Sequence, residues 1–365
     1  MKYLENYEDL AGVLHKAWNK RADYVDSGRL EAFRLITKEE LGIPLAVDIY
    51  GYGNKPCAVM QQYDFDISEK ELELLEEVLR AEFHVAEFFY KRRFRVKESP
   101  ESGGEISGKP VEIVVQEYGH KFLVNLNNYL DTGLFLDHRD TRKWVEEMVR
   151  GAQSAKRKAQ SLAEEVQSEK RGVNSVAEEA ISGKRGVNSD GGYQVLNLFA
   201  YTGSFSVYAA AGGATMTHTV DLSKTYCDWA RRNMEMNGFA KEQHWIYRMD
   251  TFEFYRYAAR KGLRFDLIIL DPPTFSRNKG ENFSVQRDHY ELVMSAIDLM
   301  KDDGELIFSN NCLDFVLDWR IKRDFEVRNV QNLTVPIDFR VDTAAEEDDL
   351  YRQIHNCYLI SRKSS

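Results

Sequence analysis

Helical spacing of apolar residues opens the chain: Leu10, Val13, Leu14 and Trp18 fall on one face of Tyr7–Arg21. The period then shortens. Ala32–Leu35 and Leu45–Tyr50 read as strands, and the turn Gly51-Tyr52-Gly53-Asn54-Lys55-Pro56 leads into a third, Cys57–Tyr63. Ser68-Glu69-Lys70-Glu71 is a capping box and predicts a helix running to about Tyr90. Lys97–Lys109, rich in Gly, Ser and Glu, predicts a mobile loop. Val111–Glu117 and Lys121–Leu126 alternate around Tyr118-Gly119-His120 and predict a hairpin. Residues 1–126 therefore read as a small α+β domain.

From residue 127 the pattern changes. A polar stretch, Leu130–Arg139, precedes a helix predicted over Thr141–Gln153. Residues 154–191 interrupt the fold: Ala163-Glu164-Glu165 recurs as Ala177-Glu178-Glu179, and Lys-Arg-Gly-Val-Asn-Ser begins at both Lys170 and Lys184. Two copies are too few to bury a core, so this reads as an exposed, partly helical insertion. Beyond it, Val195–Phe199, Thr217–Val220, Ile246–Met249 and Phe265–Leu270 are short apolar or β-branched runs, as expected for strands buried on both faces. Gln286–Met300 has the spacing of an amphipathic helix, Gly304–Asn311 reads as turn and strand, and Phe339–Val341 with Ile354–Ile360 as a closing strand pair. Residues 127–365 thus predict a doubly wound α/β domain.

The ends of these strands carry the chemistry. After Val195–Phe199 come Ala200, Tyr201, Thr202 and Gly203, then a helix opening at Ser204; glycine lets backbone approach a ligand, and a helix start offers unpaired N–H groups. Asp221, Asp250 and Asp271 close the next three strands. A carboxylate about 20 residues after such a turn is where doubly wound folds hold ribose hydroxyls, and strand ends along one rim are where they bind ligands.

Bulk properties narrow the classes. The chain has 365 residues, 43% of them hydrophobic, enough for packed cores. No apolar run long enough to span a membrane and no apolar leader is present, which predicts a cytoplasmic protein with no membrane partner. Cys57, Cys227, Cys312 and Cys357 lack C-x-x-C spacing, so neither a zinc site nor a disulfide framework is expected, and no metal is. A net charge of -10 disfavours a polyanionic partner as a whole, but local patches decide binding. Lys91-Arg92-Arg93-Phe94-Arg95-Val96-Lys97 is such a patch; it reads either as a phosphate-tracking surface with a stacking ring or as a solvated, basic helix end.

Strand, glycine turn and three rim acids, the last in Asp271-Pro272-Pro273, form the layout of a class I S-adenosylmethionine methyltransferase. The resemblance becomes specific in seven motifs: Leu130–Arg139 (LDTGLFLDHR), Leu196–Gly203 (LNLFAYTG), Thr219–Ser223 (TVDLS), Asp271–Ser276 (DPPTFS), Val285–His289 (VQRDH), Phe308–Asn311 (FSNN) and Arg352–Cys357 (RQIHNC). Together they resemble bacterial large-subunit (23S) ribosomal RNA guanine-N7 methyltransferases of the K/L type, from about residue 120 onward. The resemblance implies a Rossmann-like catalytic domain, an RNA-engaging domain before it, S-adenosylmethionine as cofactor and ribosomal RNA as partner. By position, Phe199, Tyr201, Thr202 and Gly203 would line the methionine and ribose, Asp221 would hold the ribose hydroxyls, and Asp250 and Thr251 would meet adenine. Asp137 and Arg139 belong to the segment beside the cofactor; Asn197, Ser204 and Leu222 complete that set. Asp271, Pro272 and Pro273 would face the acceptor, with Phe275, Asn310, Arg92, Arg93 and Arg95 as candidate substrate contacts.

Guanine N7 offers a lone pair and has no proton to lose, so its methylation needs alignment more than a base. The Asp-Pro-Pro turn also resembles that of exocyclic-amine methyltransferases, with Phe275 one place displaced. Cytosine C5 transfer would need a cysteine nucleophile, which related cytosine enzymes carry where this chain has Asn310, two residues before Cys312. An RNA-binding assembly factor without transfer activity is the alternative of another class.

Overall fold

Two large sheets, a hairpin wedged between them and a further two-stranded pair carry the described residues, and most of the element boundaries follow from local sequence. The computed structural model describes residues 6–63, 67–94, 103–105, 110–171, 192–239, 242–278, 281–340 and 354–363. In the first module α1 (Tyr7–Asn19), α2 (Ala22–Gly28), β1 (Ala32–Ile36), α3 (Lys38–Leu41), β2 (Leu45–Tyr50), β3 (Cys57–Tyr63), α4 (Glu69–Phe83), β4 (Glu87–Phe94) and β5 (Gly103–Glu105) build a sheet ordered β1-β2-β3-β4-β5. Its pairs are antiparallel except β3–β4, which run parallel and need α4 as their crossover.

The capping box forms: the Ser68 hydroxyl accepts from the Glu71 N–H, and the Glu71 carboxylate accepts from the Ser68 N–H at 2.9 Å. The helix stops earlier than its charge pattern predicts. His84 takes a left-handed φ of 55° and caps α4, and Glu87–Phe94 then pairs with β3 in the register Cys57↔Glu87 to Tyr63↔Arg93. The first half of the basic segment, Lys91–Phe94, is therefore a strand and not a helix end, and residues 95–97 lie outside the described residues.

The hairpin β6 (Glu112–Glu117) and β7 (His120–Asn125) turns at Tyr118 and Gly119, both at positive φ. It packs on both modules. One buried cluster unites Tyr50 and Val59 of the first sheet, Val115, Phe122 and Val124 of the hairpin, and Val207, Tyr208 and Met234 of the elements beyond.

The second module follows with α5 (Arg139–Arg171), β8 (Gln194–Leu198), α6 (Ser204–Ala211), β9 (Met216–Asp221), α7 (Lys224–Met236), β10 (His244–Arg248), α8 (Thr251–Lys261), β11 (Phe265–Leu270), β12 (Phe275–Asn278), β13 (Glu281–Ser284), α9 (Val285–Ile297), β14 (Met300–Asn310), α10 (Trp319–Asp324), β15 (Phe325–Asn329), α11 (Gln331–Thr334) and β16 (Asn356–Arg362). Seven strands order as β10-β9-β8-β11-β14-β16-β15, with β16 antiparallel to both neighbours. This is a Rossmann-like α/β sheet. The closing pair differs from expectation: β16 pairs with β14 and β15, while Ile337–Phe339 is a 3₁₀ turn and Val341 lies outside the described residues. The helix expected to end at Gln153 continues to Arg171, into the repeat-bearing segment, whose remainder lies outside the described residues.

A buried charge knot locks hairpin, α5 and first sheet together. Glu117, fully buried at the end of β6, accepts from Arg139 Nε at 3.2 Å, from Arg142 Nε and Nη2 at 2.8 Å each, and from the Tyr208 hydroxyl at 2.9 Å. Arg139 Nη1 donates to both oxygens of Asp338 at 3.0 Å, and its Nη2 to the Ala32 carbonyl at 2.7 Å. Asp338 in turn accepts the Arg34 N–H at 2.9 Å. Removing one member of such a set leaves the other charges buried without a partner, which costs about 3–5 kcal/mol. Glu117→Leu is expected to lower unfolding stability by about that amount in urea titrations; a loss below about 1 kcal/mol would show that the knot is dispensable.

Candidate active site

Parallel register brings the strand ends to one rim. Leu198 lies opposite Val220 and Leu270, and Leu270 opposite Phe308, so Asp221, Asp271, Ser309 and Asn310 border the crevice where strand order reverses between β8 and β11. Over the crevice runs the loop Phe199–Gly203, with Phe199, Tyr201 and Gly203 at φ 54°, 51° and 74°. Two of these are bulky aromatics in the left-handed region, a strain of about 1–3 kcal/mol each that the surroundings must hold. They do: Asp221 Oδ2 accepts the Tyr201 N–H at 2.8 Å, Ala200 N donates to Val220 O at 3.0 Å, Thr202 Oγ1 donates to Gly133 O at 2.6 Å, and Asn233 Nδ2 to Thr202 O at 2.9 Å. At Gly203 a Cβ would sit 2.8 Å from that of Ala230.

Asp221 has its other oxygen on the Ser223 N–H at 2.8 Å, and burial raises its carboxyl pKa. Leu222 beside it is 51% exposed. Asp250 caps α8, its Oδ1 accepting from Phe252 N at 2.9 Å and Glu253 N at 3.3 Å, with Thr251 buried at the first helical position. Ser204 is buried at the opening of α6. Asn197 lies beneath the loop: its Nδ2 donates to Ser206 Oγ at 3.0 Å, which shares a hydrogen bond with Thr219 Oγ1 at 2.7 Å. It braces β8, α6 and β9 from inside the core, so the expectation that it lines the cofactor is corrected.

Asp271 follows β11, with Oδ1 accepting from the Ser309 hydroxyl at 2.6 Å. Pro272 is buried, Pro273 is exposed, and Phe275 is 53% exposed where β12 begins. Asn310 Oδ1 accepts from Cys312 N at 3.0 Å and Asn356 Nδ2 at 3.2 Å, while its Nδ2 is buried without a hydrogen-bond partner. Burial pushes the Cys312 thiol pKa up, away from the reactive thiolate.

Two further expectations are corrected. Arg139 is wholly buried and its guanidinium is spent on Glu117, Asp338 and Ala32 O, so it anchors the junction and does not face the crevice. The basic strand is not a phosphate-tracking surface along its inner face. Lys91 is buried with Nζ on Tyr129 O at 2.8 Å, burial bringing its pKa down to about 8. Arg93 is held by Gln61 at 2.9 Å and by Asp131 at 2.8 Å. Arg92 is half-buried, and Arg95 lies outside the described residues.

Asp137 reaches the crevice from the 3₁₀ turn Leu136–His138, and with it come two histidines to which the sequence reading gave no role. His138 Nε2 lies 4.0 Å from Asp137 Oδ2 and 3.7 Å from Asp271 Oδ2; His355 Nδ1 lies 3.6 Å from Asp137 Oδ2. Both fall inside the motifs LDHR and RQIHNC, so the signal was there. Asp137, His138 and His355 bring three metal-ligating groups within 4.8 Å. The imidazole planes, however, lie only 16° from parallel with centroids 4.3 Å apart, so their in-plane lone pairs cannot converge on one ion.

Residues 179–352 match the family model of S-adenosylmethionine-dependent methyltransferases. The ribosomal RNA large subunit methyltransferase K of Neisseria meningitidis serogroup B is 39% identical over 92% of this chain and 82% of its own length. The chain belongs to this family of large-subunit ribosomal RNA methyltransferases K and K/L. Relatives named K/L are longer: that of a Marinomonas strain is 34% identical over 97% of this chain but only 42% of its own length, and that of Vibrio cholerae 32% over 98% and 44%. Among solved structures, a methyltransferase complexed with SAH has a TM-score of 0.69 at 23% identity, covering 97% of this chain and 81% of that one. An S-adenosylmethionine-dependent methyltransferase from Streptococcus mutans scores 0.68 at 22% identity with the same coverage. This family member is thus an S-adenosylmethionine-dependent enzyme.

Asp221 is the rim acid that also holds the loop, so its removal tests both. Asp221→Ala is expected to weaken S-adenosylmethionine binding by about 1.5–3 kcal/mol, the range for hydrogen bonds to a charged group, as read by calorimetry. Unchanged affinity would remove Asp221 from the cofactor site.

Proposed function

We propose that this methyltransferase acts on large-subunit ribosomal RNA and transfers the methyl group to guanine N7 by direct displacement, without a covalent enzyme–RNA intermediate. The supporting observation is the make-up of the crevice at Asp271. It offers carboxylates and an amide and, among the described residues, no activated nucleophile: Asn310 occupies the place of the cytosine enzymes' cysteine, and the Cys312 thiol is pushed up by burial. Burial works to raise the Asp137 carboxyl pKa, but the neighbouring imidazoles of His138 and His355 hold it well below the usual range. Transfer moves positive charge from the sulfonium onto the purine ring, and carboxylates beside that ring favour this.

S-Adenosylmethionine supplies the electrophilic methyl group. The rim fits it: each Asp221 oxygen accepts one backbone N–H and keeps a lone pair for a ribose hydroxyl, and exposed Leu222 offers an apolar face for adenine. We assign Phe199, Tyr201, Thr202, Gly203 and Ser204 to the methionine and ribose side, and Asp250 and Thr251 to the adenine side. Asp137, Asp271, Pro272 and Pro273 face the acceptor, with Phe275 and Asn310 at its margin. Guanine N7 lies in the deep groove of an RNA duplex, so the target base must be unpaired or turned out. Residues 1–126 would hold the RNA around it, and 127–365 would carry the transfer, with 154–191 as an insertion. Among the described residues no helix is long and apolar enough to cross a membrane, in keeping with a cytoplasmic enzyme.

Incubation with methyl-labelled S-adenosylmethionine and either protein-free ribosomal RNA or precursor large subunits is expected to yield 7-methylguanine. Nucleoside mass spectrometry reads it, as does strand cleavage by aniline after borohydride reduction. A dominant N2-methylguanine product would replace the N7 reading with the exocyclic-amine one, and absence of transfer on both substrates would favour an assembly role.

A further inference from the structure

One segment at the acceptor mouth turns large apolar side chains outward. After Asn310 the chain runs through Cys312 to α10, and along it Phe315 and Leu317 are buried in the methyltransferase core while Leu313, Val316 and Trp319 are 58%, 66% and 65% exposed. The buried pair explains where the segment sits: the Phe315 ring packs edge-on against His289 and Phe308, with centroids 4.8 and 5.7 Å away. The backbone is fixed as well. Gln286 of α9 clamps Val316 with both ends of its amide, Nε2 donating to the carbonyl at 3.0 Å and Oε1 accepting the N–H at 2.9 Å, and the Asp318 N–H donates to His289 Nε2 at 2.9 Å. The outward side chains thus stand on a fixed frame.

That frame is continuous with the acceptor mouth. The Val285 N–H at the start of α9 donates to Thr274 O at 3.0 Å, which ties the frame to the turn Asp271–Thr274, and Phe275 just beyond that turn is 53% exposed. At its other end the Cys312 N–H donates to Asn310 Oδ1 at the rim. Phe275, Leu313, Val316 and Trp319 therefore border the mouth. Single exposed apolar residues are ordinary on a protein surface, but a group of them beside a crevice marks an interaction site.

The charges around the group decide what it takes. The Arg323 guanidinium lies 5.0 Å from the Trp319 ring centroid, and that of Arg320 lies 3.5 Å from the Tyr290 centroid. Each is already paired with a neighbouring carboxylate, Arg323 with Asp324 at 2.6 Å and Arg320 with Asp318 at 2.7 Å. Little net positive charge is left for tracking phosphates, whereas a cation against an indole that keeps most of its surface bare makes a stacking platform for bases. A guanine turned out of its strand for transfer leaves the bases beside it without a stacking partner. We propose that Phe275, Leu313, Val316 and Trp319 form the platform on which the unpaired bases next to the target nucleotide stack, with Trp319 as its principal ring. It takes single-stranded RNA by the faces of its bases, which all four bases offer alike.

The inference rests on methyl transfer to RNA at the Asp271 mouth, not on which guanine atom accepts it. The test is single-turnover transfer to ribosomal RNA over a range of RNA concentrations at saturating S-adenosylmethionine, with the product identified by nucleoside mass spectrometry. Trp319→Ala is expected to raise the half-saturating RNA concentration about tenfold, the loss of one base stack, while the rate at saturating RNA stays within about threefold of wild type. Trp319→Phe keeps a ring and is expected to recover most of that loss. Trp245→Ala removes an exposed indole from the edge strand β10 and is expected to match wild type. Ultraviolet crosslinking of the wild-type protein to the same RNA needs no variant to fold, and is expected to join nucleotides to the peptides carrying Trp319 or Phe275. An unchanged half-saturation in Trp319→Ala, equal losses in the alanine and phenylalanine variants, an equal loss in Trp245→Ala, or a crosslink map that omits both peptides would overturn the proposal. So would sedimentation showing that Trp319→Ala breaks a dimer while RNA half-saturation stays as in wild type, which would make the platform a contact between copies. An N2 product would sink the N7 reading, and an unchanged rate in Asp271→Asn the assignment of the mouth; neither result imitates a changed half-saturation in Trp319→Ala.

Discussion

The buried knot of Glu117, Arg139, Arg142 and Asp338 is the constraint on which the rest of the structure depends. Its members come from the hairpin, from the first turn of α5 and from the 3₁₀ turn Ile337–Phe339, and Arg139 also binds the backbone of β1. Burying such charges is costly unless every donor and acceptor is met, so the knot fixes geometry more than it adds net stability. The chain segment it fixes is the one that matters: Asp137 and His138 directly precede Arg139. Were α5 to rotate or slide by a residue, the carboxylate and imidazole would leave Asp271. The site is thus set by the junction between modules as much as by the methyltransferase sheet.

The same logic explains the loop Phe199–Gly203. Its left-handed aromatics are held by Asp221 from β9, by Gly133 from the stretch before α5 and by Asn233 from α7. The stretch around Gly133 is itself tied to the first sheet: Lys91 and Arg93 of β4 clasp Tyr129, Leu130 and Asp131. Two of the cations that looked like an RNA surface, Lys91 and Arg93, are spent inside the protein on placing the segment that borders the crevice.

Much of the sheet was legible because its signals are local. Val195–Leu198, Thr217–Val220 and Phe265–Leu270 are buried on both faces and read as continuous apolar or β-branched runs, and the acids that end them share one rim by strand direction alone. What escaped the sequence was set by distant partners. Glu87–Phe94 has a helix-compatible charge pattern, and its pairing with β3 makes it a strand. Arg139 and Asp137 stand two residues apart in one motif, yet one turns into the junction and the other into the crevice. His138 and His355 lie 217 positions apart in sequence and meet only because β16 inserts next to β14. Asn197 entered the cofactor set through the motif LNLFAYTG, but its side chain is buried against Ser206 in the core.

On the proposed function, Asp271 faces the acceptor and would act on the reacting complex more than on the resting cofactor. The most direct measurement is a pair of numbers for Asp271→Asn: S-adenosylmethionine affinity by calorimetry and the single-turnover rate on ribosomal RNA. Affinity is predicted to stay within about threefold of wild type while the rate falls by about a hundredfold, the signature of an interaction made mainly in the transition state. Equal losses in both would make Asp271 a cofactor ligand, and an unchanged rate would contradict the assignment of this crevice as the place of transfer.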